Sequence, residues 1–238
     1  MTYLAVVALL GALIFIHELG HFLAAKAAGL PVARFSLGLG PVLWSRVVGG
    51  TRLCLSAVPF GGYVLLKLAG ERDYLTLPLW RRIVFCLAGP AANLAFAVGC
   101  YGLLYALTPV EHSLVGCLAQ PLAWTADTVQ AMLAAIPKLF GHGGQVSSLV
   151  GIVAEGGRFV GGSLPRLVLL AAYLSVSLAV FNLLPLPPLD GGKIVCDSLV
   201  AWRAGLARYY VPSTACGWLL LIGLVAYATV QDVWKALA

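Results

Sequence analysis

Four stretches of this chain, at about 3–28, 83–107, 166–187 and 212–231, are each apolar over roughly the 20 residues that a helix needs to cross a bilayer. This limits the fold sharply. In hydrocarbon every backbone polar group must be satisfied internally, and apolar runs of this length do so as helices. With 61% hydrophobic and 10% charged residues, the composition excludes an ordinary soluble domain. The expected fold is an all-α polytopic membrane protein of about four transmembrane helices, with residues 1–238 forming one domain. The first stretch does not read as a cleavable signal peptide, because it lacks a basic leading region and a small-residue cleavage site.

The basic residues carry an orientation signal. Lys26, Arg34, Arg46, Arg52, Lys67, Arg72, Arg81 and Arg82 lie at or between the first two stretches, and Lys193, Arg203 and Arg208 between the last two. Only Lys138, Arg158 and Arg166 fall in the longer middle connection. An excess of Lys and Arg marks cytoplasmic loops, so the first and third connections are expected inside and both termini outside. The net charge of +6 is then a topology signal. Bases dispersed among apolar residues do not make a nucleic-acid surface, and no nucleic-acid partner is expected. Six cysteines without C-x-x-C spacing give no disulfide framework and no cysteine zinc site.

Within the first stretch stands His17-Glu18-Leu19-Gly20-His21. On a helix the two imidazoles lie one turn apart on one face, where both reach a single zinc ion. Glu18 is then placed to take a proton from a metal-activated water. With four His and four Glu in 238 residues, a chance match anywhere is roughly 0.1%. The competing reading is a pair of histidines hydrogen-bonded inside a bundle, with Glu18 paired to one of them. Ionisable groups at membrane depth usually mark a working site, which favours the metal. A helix entering at Tyr3 carries His17 roughly 21 Å along at 1.5 Å per residue. In a ~30 Å hydrocarbon slab that leaves it about 9 Å below the cytoplasmic boundary.

Two histidines leave a catalytic zinc site one ligand short. His112 and His142 fall in the connection assigned to the other side. The candidate is Asp190, after Pro185, Pro187 and Pro188 have broken the third stretch and before Gly191-Gly192, which permit a tight turn. Unwound backbone at this depth is tolerated only against protein or a water-filled cavity. The alternative is that Asp190 merely caps the next helix. Asn182, two turns earlier, is placed to donate to a developing oxyanion; its alternative is an interhelical hydrogen bond.

Residues 33–66 alternate in the manner of strands, with a turn signal at Gly49-Gly50 and a break at Pro59-Phe60-Gly61-Gly62. We expect a small membrane-associated antiparallel β element, whose edge would hold an unwound substrate extended or simply cover the cavity. Residues at about 118–140 carry apolar side chains at helical spacing and suggest an amphipathic helix on the outer face, gating or packing. Gly141 to Gly162 reads as a flexible glycine-rich loop.

H-E-L-G-H at 17–21, F-S-L-G-L-G-P at 35–41, P-F-G-G-Y-V at 59–64, L-A-G-P-A-A-N at 87–93 and N-L-L-P-L-P-P-L-D-G-G at 182–192 occur in that order. Together they resemble the site-2 protease family of intramembrane zinc metalloproteases, and most closely the bacterial branch that controls stress sigma factors. The resemblance implies one zinc held by His17, His21 and Asp190, with Glu18 as general base and Asn182 contacting substrate or transition state. It matches Gly89, Pro90 and Asn93 to a packing motif of the second span. Substrate contacts are expected from Gly61, Gly62, Tyr63 and Asn93. It further implies a bacterial inner-membrane location, an active site towards the cytoplasm, and transmembrane proteins or peptides as substrates within the lipid bilayer. Two departures stand out. The connection from about Thr108 to Pro165 is too short for the PDZ domain of close relatives, and a Ser-Gly-Pro-Val-like signature reads Ser147-Ser148-Leu149-Val150. The rival function is a zinc-binding transporter or an inactive scaffold.

Overall fold

The structure, a computed structural model, describes residues 1–109, 113–139 and 148–237. Its elements are α1 (Thr2–Ala27), β1 (Val32–Val48), β2 (Thr51–Leu66), α2 (Glu71–Thr76), α3 (Leu79–Ala106), α4 (Leu114–Leu139), α5 (Leu149–Val160), α6 (Leu164–Asn182), α7 (Asp190–Trp202), a 3-10 turn (Ala204–Tyr209) and α8 (Tyr210–Leu237). Four segments, Thr2–Ala27, Leu79–Ala106, Leu164–Asn182 and Ala204–Asp232, are long and apolar enough to cross a membrane. The expected helical membrane protein with a small sheet after its first helix is what the structure has.

The third span ends sooner than its apolar run, which extends to 187: α6 stops at Asn182. Proline restricts the residue before it to extended backbone and cannot donate to the fourth carbonyl back. Pro185 therefore ends the helix before it is reached. Leu184 N–H closes a turn on Phe181 O at 3.1 Å.

Contacts divide the chain into two units. One comprises Leu10–Asn93 and Phe181–Ala215 and contains the sheet. β1 and β2 pair antiparallel, and residues 34–37 have partners on two sides, at 62–65 and at 52–55. Gly49 (φ 55°) and Gly50 (φ 75°) make the hairpin turn between Val48 and Thr51, a left-handed conformation that glycine adopts without a Cβ penalty. Val32 is buried with Ala25 and Leu30 against Phe22, Val64, Leu66 and Phe85, which fixes the sheet on α1 and α3. Val42, Leu43, Trp44, Val47 and Val48 of the hairpin remain exposed, an apolar surface that suits lipid rather than water.

The other unit comprises Met1–Leu9, Leu94–Val180 and Cys216–Ala238. Its core is made of small residues, which let membrane helices approach closely: Ala97, Ala171, Ala172, Val176 and Val180 are buried. The expected amphipathic segment is α4, and it packs on this core through Trp124, Val129, Met132 and Ile136.

The glycine-rich stretch from 141 to 162 is not a loop throughout. Residues 141–147 lie outside the described residues, but Leu149–Val160 is helical. Ser148 caps it by accepting from the N–H groups of Val150 and Gly151, and Gly161 ends it in the left-handed region at φ 52°. Gly156 and Gly157 are buried because they are needed for packing: a Cβ on Gly157 would lie 2.3 Å from Tyr3 Cδ1, and one on Gly156 3.3 Å from Val6 Cγ1. Glycine here serves close approach rather than flexibility.

Candidate metal centre

The site is assembled within the sheet-containing unit from α1, α3 and the start of α7. Four-residue spacing puts His17 and His21 on one face of α1, and both are buried, as is Asp190. His17 Nε2 and His21 Nε2 are 3.1 Å apart, and Asp190 Oδ2 is 3.1 Å from each. Asp190 is the first residue of α7, and its Oδ2 turns to the histidines. Gly191 and Gly192 do not form a tight turn. They lie in the first turn of α7, where a Cβ would meet Leu183 O at 2.2 Å or Leu186 C at 2.3 Å. Their small size lets the proline-broken segment fold down upon α7 and bring Asp190 to the histidines.

Three acceptor-bearing atoms this close repel unless a cation or shared proton lies among them. The donor set suits zinc: two neutral imidazoles and one carboxylate. A tetrahedral ion with bonds of about 2.0–2.2 Å asks its ligands to stand roughly 3.3–3.5 Å apart, near the spacing found. His21 Nδ1 donates to Phe85 O at 2.7 Å, which leaves the Nε2 lone pair facing the site. The Asn93 amide lies 3.3 Å from His17 Nδ1. Lys193 Nζ stands 3.4 Å from the other Asp190 oxygen. Burial alone would raise the Asp190 carboxyl, but hydrogen bonds from His17 and His21 and the Lys193 charge hold it well below the usual carboxylate range.

Glu18, on the next residue of α1, is half-buried. Gly62 runs directly beside it: a Cβ there would come within 2.8 Å of Glu18 Cγ. Gly61 takes φ 139°, and its added Cβ would strike Leu39. The hydroxyl of Tyr63 accepts from Arg34 Nη1 at 3.1 Å. Of the residues expected at the substrate, Gly62 is thus brought to Glu18, Tyr63 is engaged within the sheet, and Asn93 is fully buried against His17. Asn182 closes α6, partly exposed, eight residues before Asp190.

Two glycines explain how α1 and α3 come so close. A Cβ on Gly20 would lie 2.3 Å from Ala88 O, and one on Gly89 2.4 Å from His21 Nε2 and 2.8 Å from His17 Nε2. Gly89 is the floor of the site.

Several contributors have no signature in sequence. The Phe85 carbonyl is backbone. A second polar cluster sits further along α7, where buried Asp197 faces Arg82 Nη1 at 3.0 Å and accepts from the Tyr74 hydroxyl at 2.9 Å. Arg82 does not align as a hydrogen bond on that oxygen; its hold is electrostatic, and its Nε donates to Leu77 O at 3.2 Å. Burial, followed by the nearby Cys86 and Asp197, pushes the Tyr74 phenol far up, which keeps it protonated as a donor.

A family model described as peptidase family M50 matches residues 5–224. A Chlamydia trachomatis protein named "Putative zinc metalloprotease" is 41% identical over 113 residues, 40% of this chain and 18% of that protein. A Nostoc protein of the same designation is 41% identical over 130 residues, 51% of this chain and 34% of its own length. The chain thus spans about a fifth to a third of these relatives. A Clostridium perfringens protein so named is 26% identical over 323 aligned positions, 93% of this chain and 95% of its own length. Since 93% of 238 residues is roughly 221, about a hundred of those positions have no counterpart here.

Proposed function

Since the chain belongs to peptidase family M50, we propose that it is a zinc-dependent endopeptidase that cuts peptide bonds within the membrane. The observation that carries this reading is the convergence of Asp190 from α7 on His17 and His21, which lie with Glu18 on a helix apolar enough to span. His17, His21 and Asp190 would hold one zinc. When bound it would supply a Lewis acid that polarises a carbonyl oxygen and acidifies water. Glu18 takes a proton from the attacking water and passes it to the leaving amine. Asn182 donates to the oxyanion that develops on the former carbonyl.

A peptide bond in a helix is shielded by its own hydrogen bonds, so the substrate segment must open before attack. The strand through Gly61, Gly62 and Tyr63 passes beside Glu18 and would hold such a segment extended. The substrates we propose are membrane-spanning segments of single-span proteins, such as an anti-sigma factor or a remnant signal peptide. The resemblance to the bacterial branch suggests an inner-membrane location, and the charge distribution supports both termini outside with the site opening to the cytoplasm. Selection would proceed without a PDZ domain in the connection between the second and third spans.

The test is cleavage of a model transmembrane substrate by the full chain in detergent, wild type against Glu18→Gln. Wild type is expected to cut, and the variant to cut about 10²–10⁴-fold more slowly with its zinc retained. Equal cleavage by the two would sink this mechanism.

A further inference from the structure

Arg82, Phe85, Gly89 and Asn93 recur along α3 at spacings of three and four, which aligns them on one helix face. Each meets the metal centre or the helix that carries Asp190. The Phe85 carbonyl takes His21 Nδ1–H, Gly89 lies beneath both imidazoles, and the Asn93 amide stands at His17 Nδ1. Arg82 holds Asp197, which follows Asp190 on α7 by seven residues, two turns along the same face.

We infer that this face of α3 is the template that orients the zinc ligands, and that Asn93 is the positioning residue for His17. The inference rests on the zinc-site reading above. His17 offers its Nε2 lone pair to a metal only in the tautomer that carries hydrogen on Nδ1, and that hydrogen needs an acceptor in a buried site. His21 already has this arrangement, with Phe85 as acceptor. For His17 the acceptor is the Asn93 side-chain carbonyl. Nδ2 is the amide atom drawn nearest, but a half-turn of the amide preserves its shape and puts Oδ1 in the same place. An asparagine that touched substrate would need an open face, whereas Asn93 has none. Arg82, through Asp197, fixes the rotation of α7 and so the direction of the Asp190 carboxylate.

Zinc affinity separates this role from plain packing. The full chain in detergent is titrated with zinc against a competing chelator, and the unfolding midpoint of the metal-free protein is measured alongside. Asn93→Leu, similar in volume but without an acceptor, is expected to weaken zinc binding about 10–100-fold. Asn93→Asp keeps an oxygen at the same place and is expected to stay within a few-fold of wild type. Arg82→Leu is expected to weaken zinc as well, although it touches no ligand. Unchanged affinity in Asn93→Leu, or equal weakening in Asn93→Asp and Asn93→Leu, overturns the inference while the wild type still binds zinc. If Asn93→Leu does not fold, the Asp variant decides alone, and loss of zinc there overturns it. A wild type that binds no zinc overturns the functional reading itself.

Discussion

Among the described residues, the unit containing the proposed metal ligands buries the ionisable or amide side chains of His17, His21, Arg82, Asn93, Asp190 and Asp197 as well as hydroxyls, whereas the polar groups buried in the unit built on Leu94–Val180 are the hydroxyls of Tyr101, Thr125, Ser148 and Ser175. The difference lies in how such groups are satisfied. Thr125 bonds Pro121 O one turn back on its own helix, and Ser148 caps its own helix. Those arrangements are local and inexpensive at any depth. In the first unit His17, His21, Asn93 and Asp190 find partners 64 to 173 residues away. They demand that α1, α3 and α7 be held in one register. A membrane protein accepts that demand where chemistry requires it, and elsewhere packs small residues.

The comparison breaks most easily at the carboxylate. Asp190→Ala removes one of the three convergent ligands and leaves two imidazoles. Zinc affinity is expected to fall more than about 100-fold, beyond the range for residues outside the ligand set, and proteolysis with it. Chelator treatment of the wild type should reproduce the loss, and added zinc should restore only the wild type. If Asp190→Ala kept zinc and activity, the polar unit would not be a metal centre.

Gly89→Ala is the next test. Its methyl group would occupy space 2.4 Å from His21 Nε2, so the histidines must shift or α3 must withdraw. We expect zinc affinity to fall about 10–100-fold, as when a supporting residue is lost, measured by the same competition. A corresponding glycine in the other unit should behave differently. Gly157→Ala places a methyl group 2.3 Å from the Tyr3 ring, and overpacking costs about 1–3 kcal/mol, offset by roughly 1 kcal/mol of helix propensity. The unfolding midpoint should drop while zinc affinity stays constant. Tyr3→Ala in the same chain should remove most of the penalty, because residues in contact do not add independently. If Gly157→Ala altered zinc binding as much as Gly89→Ala, the division between the two units would not hold.

What sequence revealed follows the same line. His17, Glu18 and His21 were legible because helix periodicity alone brings i and i+4 together. The four spans were legible because length and apolarity are sufficient for membrane helices. Asp190 needed the prolines as a pointer, and the glycines after it were misread as a turn because spacing does not distinguish conformational freedom from lack of bulk. The same ambiguity hid α5. Gly156 and Gly157 look like loop residues until Tyr3 and Val6 are placed against them. Ser148 and the Gly161-Gly162 pair bracketed that helix in sequence, a cap at each end, and were the available signal. The Phe85 carbonyl and the Arg82–Asp197 contact belong to tertiary structure, since a backbone acceptor and a pair of residues 115 positions apart leave no local pattern.

That bracket yields the smallest of the expected effects. Ser148 Oγ accepts from the N–H groups of Val150 and Gly151, while its own N–H donates to Asp232 at 2.6 Å. Ser148→Ala removes the first pair of contacts and leaves the second, which is backbone. The cost should be that of an N-cap, about 0.5–2 kcal/mol, read as a lowered unfolding midpoint in detergent with zinc affinity unchanged. Ser148→Thr keeps the hydroxyl and should recover most of the loss. If the alanine variant matched wild type, the cap would not be what starts α5. The close fit of Gly156 and Gly157 under the first turns of α1 would then hold the helix by packing alone, as the rest of that unit is held.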